Sequence, residues 1–156
     1  MSEKNTLTPT HCIFYIYHTF AFRSDGKLTV NEKKIITHFM YRWVGEDKHK
    51  TTELIDETLT WAQKNIKSVN DQIGAMISMV EFLKTQENFS VDKREYFLMD
   101  IRNIARSDNH FSDQQKKWHD MLSHILGLGI RISTATHDAI NGAVRKVERR
   151  KIGFRR

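Results

Sequence analysis

Apolar residues recur along almost the whole chain with the spacing of an amphipathic helix. Ile13, Ile16, Tyr17 and Phe20 follow the offsets i, i+3, i+4 and i+7, and no segment alternates apolar and polar residues as a strand does. One Pro and seven Gly give no sign of a linker, so we expect one domain over residues 1–156 with a core of about 10–130. The pattern predicts an all-α bundle of six or seven helices, near residues 10–23, 30–44, 52–66, 69–86, 91–106, 113–126 and 134–150.

Capping motifs mark several of the predicted helix starts. Thr29 with Glu32, and Ser112 with Gln115, fit a capping box. In this motif the cap side chain accepts from the N3 amide, and the N3 side chain accepts from the cap amide. Further caps are predicted at Ser68, Ser90 and Thr134.

The two capping boxes belong to a stretch that occurs twice. Residues 23–34 read RSDGKLTVNEKK and residues 106–117 read RSDNHFSDQQKK, with five of twelve positions identical. Each copy joins the end of one predicted helix to the capped start of the next. The sequence therefore predicts two similar helix hairpins that can pack as pseudo-equivalent halves.

The paired joints, with the HILGLG that ends the helix after the second joint, resemble the TerB-like family of bacterial tellurite-resistance proteins. The same domain occurs in membrane-anchored J-domain co-chaperones, and the resemblance covers residues 10 to 130. It implies a compact helical domain that serves as a stress-response adaptor in membrane-linked assemblies. It also implies a divalent metal ion at the joint acids, which here are Asp25, Glu32 and Asp108. Asn109 stands where Gly is usual, and Gln115 stands where Glu is usual, which removes one charged ligand.

The joint acids also have a purely structural interpretation. Asp25 and Asp108 lie where a predicted helix ends, and a carboxylate is unfavourable beside the negative end of the helix dipole. A divalent cation held with Glu32 would compensate the charge, and so would the turn's own amides or the free N–H groups of the next helix. The EF-hand spacing is absent, because position 27 is Lys and position 29 is Thr.

The net positive charge of the protein comes from its C-terminal end. The net charge is +6, and the last fourteen residues hold seven Lys or Arg against one Glu, so the remainder of the chain is neutral. A stripe of Ile140, Ala143, Val144 and Val147 predicts a basic amphipathic helix. Such a helix can bind an anionic membrane or nucleic acid, or it can dock on the bundle with its charges solvated. The residues that would bind an anionic partner are Arg145, Lys146, Arg149, Arg150, Lys151, Arg155 and Arg156.

Little in the sequence indicates catalysis. Cys12 is the only cysteine, which excludes an internal disulfide and a multi-cysteine zinc site. His11, Tyr15 and His18 share one helix face, while His119 and His124 are five residues apart and do not form a helical zinc pair. No glycine-rich phosphate loop is present. We therefore predict a protein that is not an enzyme, whose cofactor, if it has one, is a divalent metal ion.

Partner and location follow from the same features. We expect a protein partner, with nucleic acid or an anionic membrane surface as the alternative partner of the tail. The chain shows no signal-peptide pattern and no run of ~18 apolar residues. The expected location is cytoplasmic, with peripheral contact to the inner membrane as a further expectation.

Overall fold

Helices make up nearly all of the regular structure in the computed structural model, which describes residues 6–21, 29–107 and 111–156. The all-α prediction is confirmed, and the described elements form a compact bundle. In chain order they are β1 Thr6–Leu7, α1 Pro9–Ala21, α2 Val30–Val44, α3 Lys48–Asn65, α4 Val69–Lys84, α5 Val91–Arg106, α6 Asp113–Ile125, α7 His137–Lys146 and β2 Gly153–Phe154.

The predicted caps explain where most helices begin. Both capping boxes are formed, because the Thr29 and Ser112 hydroxyls accept from the N3 amides while Glu32 and Gln115 accept from the cap amides. Ser68 and Ser90 cap α4 and α5 as predicted. Helix α3 begins four residues before the predicted start, because the Asp47 carboxylate accepts from the Lys50 amide.

The first helix lies at the centre of the bundle. Ten of the thirteen residues of α1 are buried, and the helix packs against α2, α3, α4 and α5. Its largest fully buried side chains include Tyr17 and Phe20. A central helix must be apolar on nearly all sides, which agrees with the almost continuous apolar sequence HCIFYIYHTFA.

The two predicted hairpins meet through their first helices. Tyr17 of α1 and Asp100 of α5 are 83 residues apart, which is also the spacing between the two copies of the repeated stretch. The Tyr17 hydroxyl donates to Asp100 Oδ2 at 2.7 Å, so equivalent positions of the two hairpins touch. The Gln115 Nε2 group also donates to the Phe20 carbonyl oxygen at 2.7 Å, which joins the start of α6 to the end of α1.

The C-terminal end differs from its prediction. The seventh helix covers His137–Lys146 instead of 134–150, because Thr136 is the cap instead of Thr134 and Val147 adopts an extended conformation. Residues 147–156, which we name the C-terminal strap, then continue without helix. The strap ends in a two-residue parallel pairing of β2 with β1, which is too short to leave a periodic signal in sequence.

The strap lies against α4. A Cβ atom on Gly74 would lie 2.5 Å from the Glu148 carbonyl oxygen, so the close approach requires glycine at this position. The Ser78 hydroxyl donates to the Arg150 carbonyl oxygen at 2.9 Å, and the Phe82 and Phe154 rings stack with centroids 4.3 Å apart. The basic end of the chain is therefore docked by its backbone and its apolar side chains.

Candidate functional site

A broad cleft lies where α1, α3 and the start of α4 meet. Its volume is about 820 Å³, within the range of roughly 300–1,000 Å³ that is usual for ligand sites. Leu59, Ala62, Ile66 and Val69 supply apolar surface. Leu59 is 38% exposed and Val69 is 54% exposed, which is high for large apolar side chains.

Tyr15 places an unusual polar atom on this cleft. Its side chain lines the cleft and is only 4% exposed, with its ring edge-on to Trp61 at 5.8 Å. Among the described residues its hydroxyl meets no hydrogen-bond partner. The nearby Thr19 hydroxyl donates instead to the Tyr15 carbonyl oxygen at 2.9 Å. Burial raises the pKa of Tyr15 above its usual range, and Thr19 opposes this only in part, so the hydroxyl keeps its proton.

The ionisable groups around Tyr15 leave the cleft without net charge. Burial lowers the pKa of His18 to about 4, so its imidazole is neutral at pH 7. Asp56 and Lys67 line the cleft with one charge of each sign. His11, which the sequence placed on the same helix face, lies outside the cleft, because its imidazole contacts the Thr8 hydroxyl and Glu57.

A second polar cluster joins α1, α2 and α5. Asp100 is buried and accepts from the Tyr17 hydroxyl and from Arg42 Nη1, the latter at 3.2 Å to each carboxylate oxygen. Trp43 Nε1 donates to the Tyr17 oxygen at 3.0 Å. Burial raises the pKa of Asp100, and the Tyr17 hydrogen bond and the Arg42 charge counter this only in part. Every polar group of this cluster has a partner inside the protein.

A third cluster fixes the connection between α6 and α7. Arginine side chains can only donate hydrogen bonds, so Arg102 Nη1 donates to His119 Nε2 at 2.9 Å. The ring proton of His119 is therefore on Nδ1, which donates to Asp120 Oδ1 at 3.0 Å. Asp120 also accepts from the backbone amides of Ile132 and Ser133, each at 2.9 Å. Burial acts to raise the pKa of Asp120, but these hydrogen bonds together lower it. The Ser133 hydroxyl bonds Asp120 and not His119, so this is not the order of a hydrolytic triad.

The predicted metal ligands are only partly within the described structure. Asp25 and Asp108 lie outside the described residues. Glu32 is buried, and its Oε1 accepts from the Thr29 amide at 2.9 Å in the capping box. Gln115 uses both amide atoms, one in its capping box and one on Phe20. Within 6–21, 29–107 and 111–156, no group of three His, Cys, Asp or Glu side chains could hold a metal ion.

The predicted anion-binding residues separate into two groups. Arg149 forms an ion pair with Glu81 at 3.0 Å, and Arg150 forms one with Asp71 at 3.3 Å. A cavity of about 540 Å³ between α4 and the strap is lined by two bases, Lys146 and Arg150, and two acids, Asp71 and Glu148. The other five of the seven predicted residues are exposed and form no ion pair with a described acid. They are Arg145, Lys146, Lys151, Arg155 and Arg156.

The cleft itself was not predicted from the sequence. The shared face of Tyr15 and His18 was its one visible signal, because polar tips are unusual on an otherwise apolar helix. Which of these tips would lack a partner depends on how α3 and α4 pack, and a helical pattern does not contain that information.

Comparison of the chain with protein-family models, with curated protein sequences and with solved structures finds no match. The TerB-like resemblance of the joints therefore stays a prediction. Of the described helices, none is long and apolar enough to cross a membrane.

Proposed function

We propose that this protein is a non-enzymatic adaptor of the TerB-like kind, which binds a segment of a partner protein in the cleft between α1, α3 and α4. The observation that carries the proposal is the Tyr15 hydroxyl, a buried donor without a partner on an open, partly apolar cleft. A donor left unpaired costs about 1–3 kcal/mol of stability. A bound segment that supplies an acceptor would recover part of that free energy.

The chemistry of the other polar groups agrees with a role without catalysis. Asp100 and Asp120 are saturated by internal donors, and the His119 imidazole is held between Arg102 and Asp120. Burial raises the pKa of Cys12 far above neutrality, so its thiol is not an activated nucleophile. These groups stabilise the packing of helices and leave the cleft as the surface with unmet bonding capacity.

The experiment is site-specific photocrosslinking in the native host's lysate. A photoreactive amino acid at position 63, on the cleft, is compared with the same residue at position 95, which is exposed on α5. We expect a protein crosslink from position 63 that is absent from position 95. We then add Leu59→Arg to the variant with the photoreactive residue at position 63. The arginine side chain fills the cleft from an exposed position and should abolish that crosslink. A crosslink that survives Leu59→Arg would contradict the proposal.

The metal-responsive part of the proposal rests on Asp25, Glu32 and Asp108. Glu32→Gln provides a discriminating variant, because Gln115 already makes the same capping box with an amide. A metal-responsive protein should gain thermal stability with Mg²⁺, Ca²⁺, Mn²⁺ or Zn²⁺, and Glu32→Gln should lose that gain when each protein is compared with its own metal-free midpoint. No gain with any of the four ions would remove metal from the proposal and leave the adaptor role standing.

The exposed bases favour a second candidate, binding of nucleic acid or an anionic membrane surface through Arg145, Lys146, Lys151, Arg155 and Arg156. Truncation is a poor test, because the strap and α7 contribute to the packed structure. The triple substitution of Arg145, Lys146 and Lys151 by Gln keeps the strap. Binding to duplex DNA or to phosphatidylserine vesicles should fall steeply between about 50 and 200 mM salt and should weaken in the triple variant. Salt-independent binding would exclude this candidate.

A further inference from the structure

We propose that the cleft between α1, α3 and α4 selects an uncharged hydrogen-bond acceptor, such as a peptide carbonyl, that lies beside an apolar side chain of the partner segment. This inference rests on the proposed adaptor function and names the chemistry of the group that Tyr15 receives. The expected occupant of the cleft is a segment of a partner protein.

The need for an acceptor follows from the Tyr15 hydroxyl. The atom is buried in the free protein and has no partner within the described chain, so an incoming acceptor must displace the side chains that cover it. Its proton is retained, because burial disfavours the phenolate. The hydroxyl is therefore available as a donor at neutral pH. The Thr19 hydroxyl lies near enough to lower the pKa of Tyr15, but it donates its own proton to the Tyr15 carbonyl oxygen and does not meet the Tyr15 hydroxyl with hydrogen-bond geometry.

The preference for an uncharged acceptor follows from the surroundings. His18 is neutral, and Asp56 and Lys67 balance each other. At the start of α4, the side chains of Ser68 and Asp71 are already engaged with backbone amides, and the Asp71 carboxylate disfavours an anion there. The Ser68 hydroxyl accepts from the Asp71 amide, and the Asp71 carboxylate accepts from the Lys67 amide at 2.8 Å. An incoming carboxylate would lose its hydration and find no cation buried beside the donor.

The preference for an apolar neighbour follows from the lining of the cleft. Leu59, Ala62, Ile66 and Val69 come from the end of α3, the turn that follows it and the first residue of α4. Covering the exposed parts of Leu59 and Val69 removes apolar surface from water, which is favourable at roughly 25 cal/mol per Å². An apolar side chain placed next to a carbonyl group satisfies both parts of the cleft.

The test uses two small probes on the full chain, followed by NMR chemical shifts. N-acetyl-leucine methylamide carries the apolar side chain with neutral amides, and N-acetyl-leucine carries the same side chain with a carboxylate. We expect the methylamide to shift resonances of cleft residues with millimolar affinity, and the carboxylate to bind several-fold more weakly. Tyr15→Phe should weaken methylamide binding about fivefold, which is the effect of one neutral hydrogen bond.

Three outcomes would overturn the inference. These are equal methylamide affinity in the wild type and Tyr15→Phe, equal affinity for the two probes, or no shift of cleft residues up to the solubility limit. Failure of the adaptor role itself is distinguishable, because it is read from the crosslink at position 63. A crosslink that persists when the probes show no selectivity would leave the adaptor function and remove only the proposed recognition chemistry.

Discussion

Tyr15 and Tyr17 lie two residues apart on α1 and are both buried, yet their hydroxyl groups have opposite environments. The Tyr17 hydroxyl donates to Asp100 and accepts from Trp43, so it belongs to a cluster that joins three helices. The Tyr15 hydroxyl meets no partner among the residues described. The two side chains leave a central helix in different directions, one towards α2 and α5 and the other towards α3 and α4.

The two tyrosines distinguish surfaces whose buried polar groups are bonded within the chain from a surface on which one buried polar group has no described partner. Around Tyr17, each buried polar group is bonded within the chain, which is the usual state of a protein interior. Along α4, the C-terminal strap completes another surface through Ser78 and Phe82. The cleft at Tyr15 is the exception among these surfaces, and an exception of this kind indicates a site for another molecule.

The largest expected effect is on the Tyr17 side of the comparison. Tyr17→Phe removes a donor from the buried Asp100 carboxylate and the acceptor of Trp43 Nε1, while the Arg42 contact to Asp100 remains, and it should lower the free energy of unfolding by about 2–3 kcal/mol. Urea denaturation followed by circular dichroism measures the change. A loss below about 0.5 kcal/mol would mean that the cluster adds little stability, and the contrast between the two tyrosines would then lose its energetic meaning.

A second contrast uses glycines on a filled and an open surface. Gly74→Ala places a Cβ atom against the Glu148 carbonyl oxygen, whereas Gly142→Ala on α7 meets nothing within 4 Å. Overpacking costs about 1–3 kcal/mol, and helix propensity returns about 1 kcal/mol, so Gly74→Ala should lose up to about 2 kcal/mol. Gly142→Ala should instead gain about 0.5–1 kcal/mol.

Limited trypsin digestion shows whether the strap itself responds to these substitutions. Cleavage after Arg149 and Arg150 should accelerate in Gly74→Ala and remain slow in Gly142→Ala. Equal cleavage in the two variants would show that the strap does not depend on its close approach to α4.

A smaller effect is expected in the pH dependence of the two buried carboxylates. The pKa of Asp100 is raised in the folded state above its ordinary value of 3.8, so its ionisation opposes folding, and its contribution to stability falls as pH rises through the window above 3.8. The pKa of Asp120 is lowered, so its contribution is present above 3.8 and is lost as pH falls through the folded pKa.

Two variants test these opposite changes of stability with pH. As pH rises from 3 to 7, the stability of the wild type relative to Asp100→Asn should decrease, and its stability relative to Asp120→Asn should increase. An increase for both differences would show that Asp100 is as well satisfied as Asp120, and that the bonds from Tyr17 and Arg42 compensate its buried charge in full.

The helices could be predicted from sequence because the interactions that start them are local. The capping boxes at Thr29 and Ser112 involve side chains three residues apart, and both formed as predicted. The seventh helix was wrong at both ends, since the apolar stripe continues to Val147 although the chain has already left the helix. The strap depends on contacts of Gly74 and Ser78 with residues more than seventy positions away, which periodicity does not reveal.

The candidate site was less accessible to sequence reasoning. The metal prediction concerned joint acids, of which Asp25 and Asp108 lie outside the described residues and Glu32 is explained by its capping box. The departure of Gln115 from the usual Glu has a physical reason, because its amide donates to the Phe20 carbonyl oxygen and a carboxylate could not. In sequence Tyr15 differs little from Tyr17, and only the packing of α3 and α4 shows that its hydroxyl lacks a partner.

The smallest expected change in stability is at Tyr15, and it is the one that tests the comparison most directly. Tyr15→Phe removes the same atom as Tyr17→Phe, but no internal hydrogen bond is lost. The isolated protein should therefore unfold at an unchanged or slightly higher urea concentration. A loss similar to that of Tyr17→Phe would mean that the Tyr15 hydroxyl has a partner in solution. Together with a weakened crosslink from position 63, an unchanged midpoint would assign this hydroxyl to binding and not to folding.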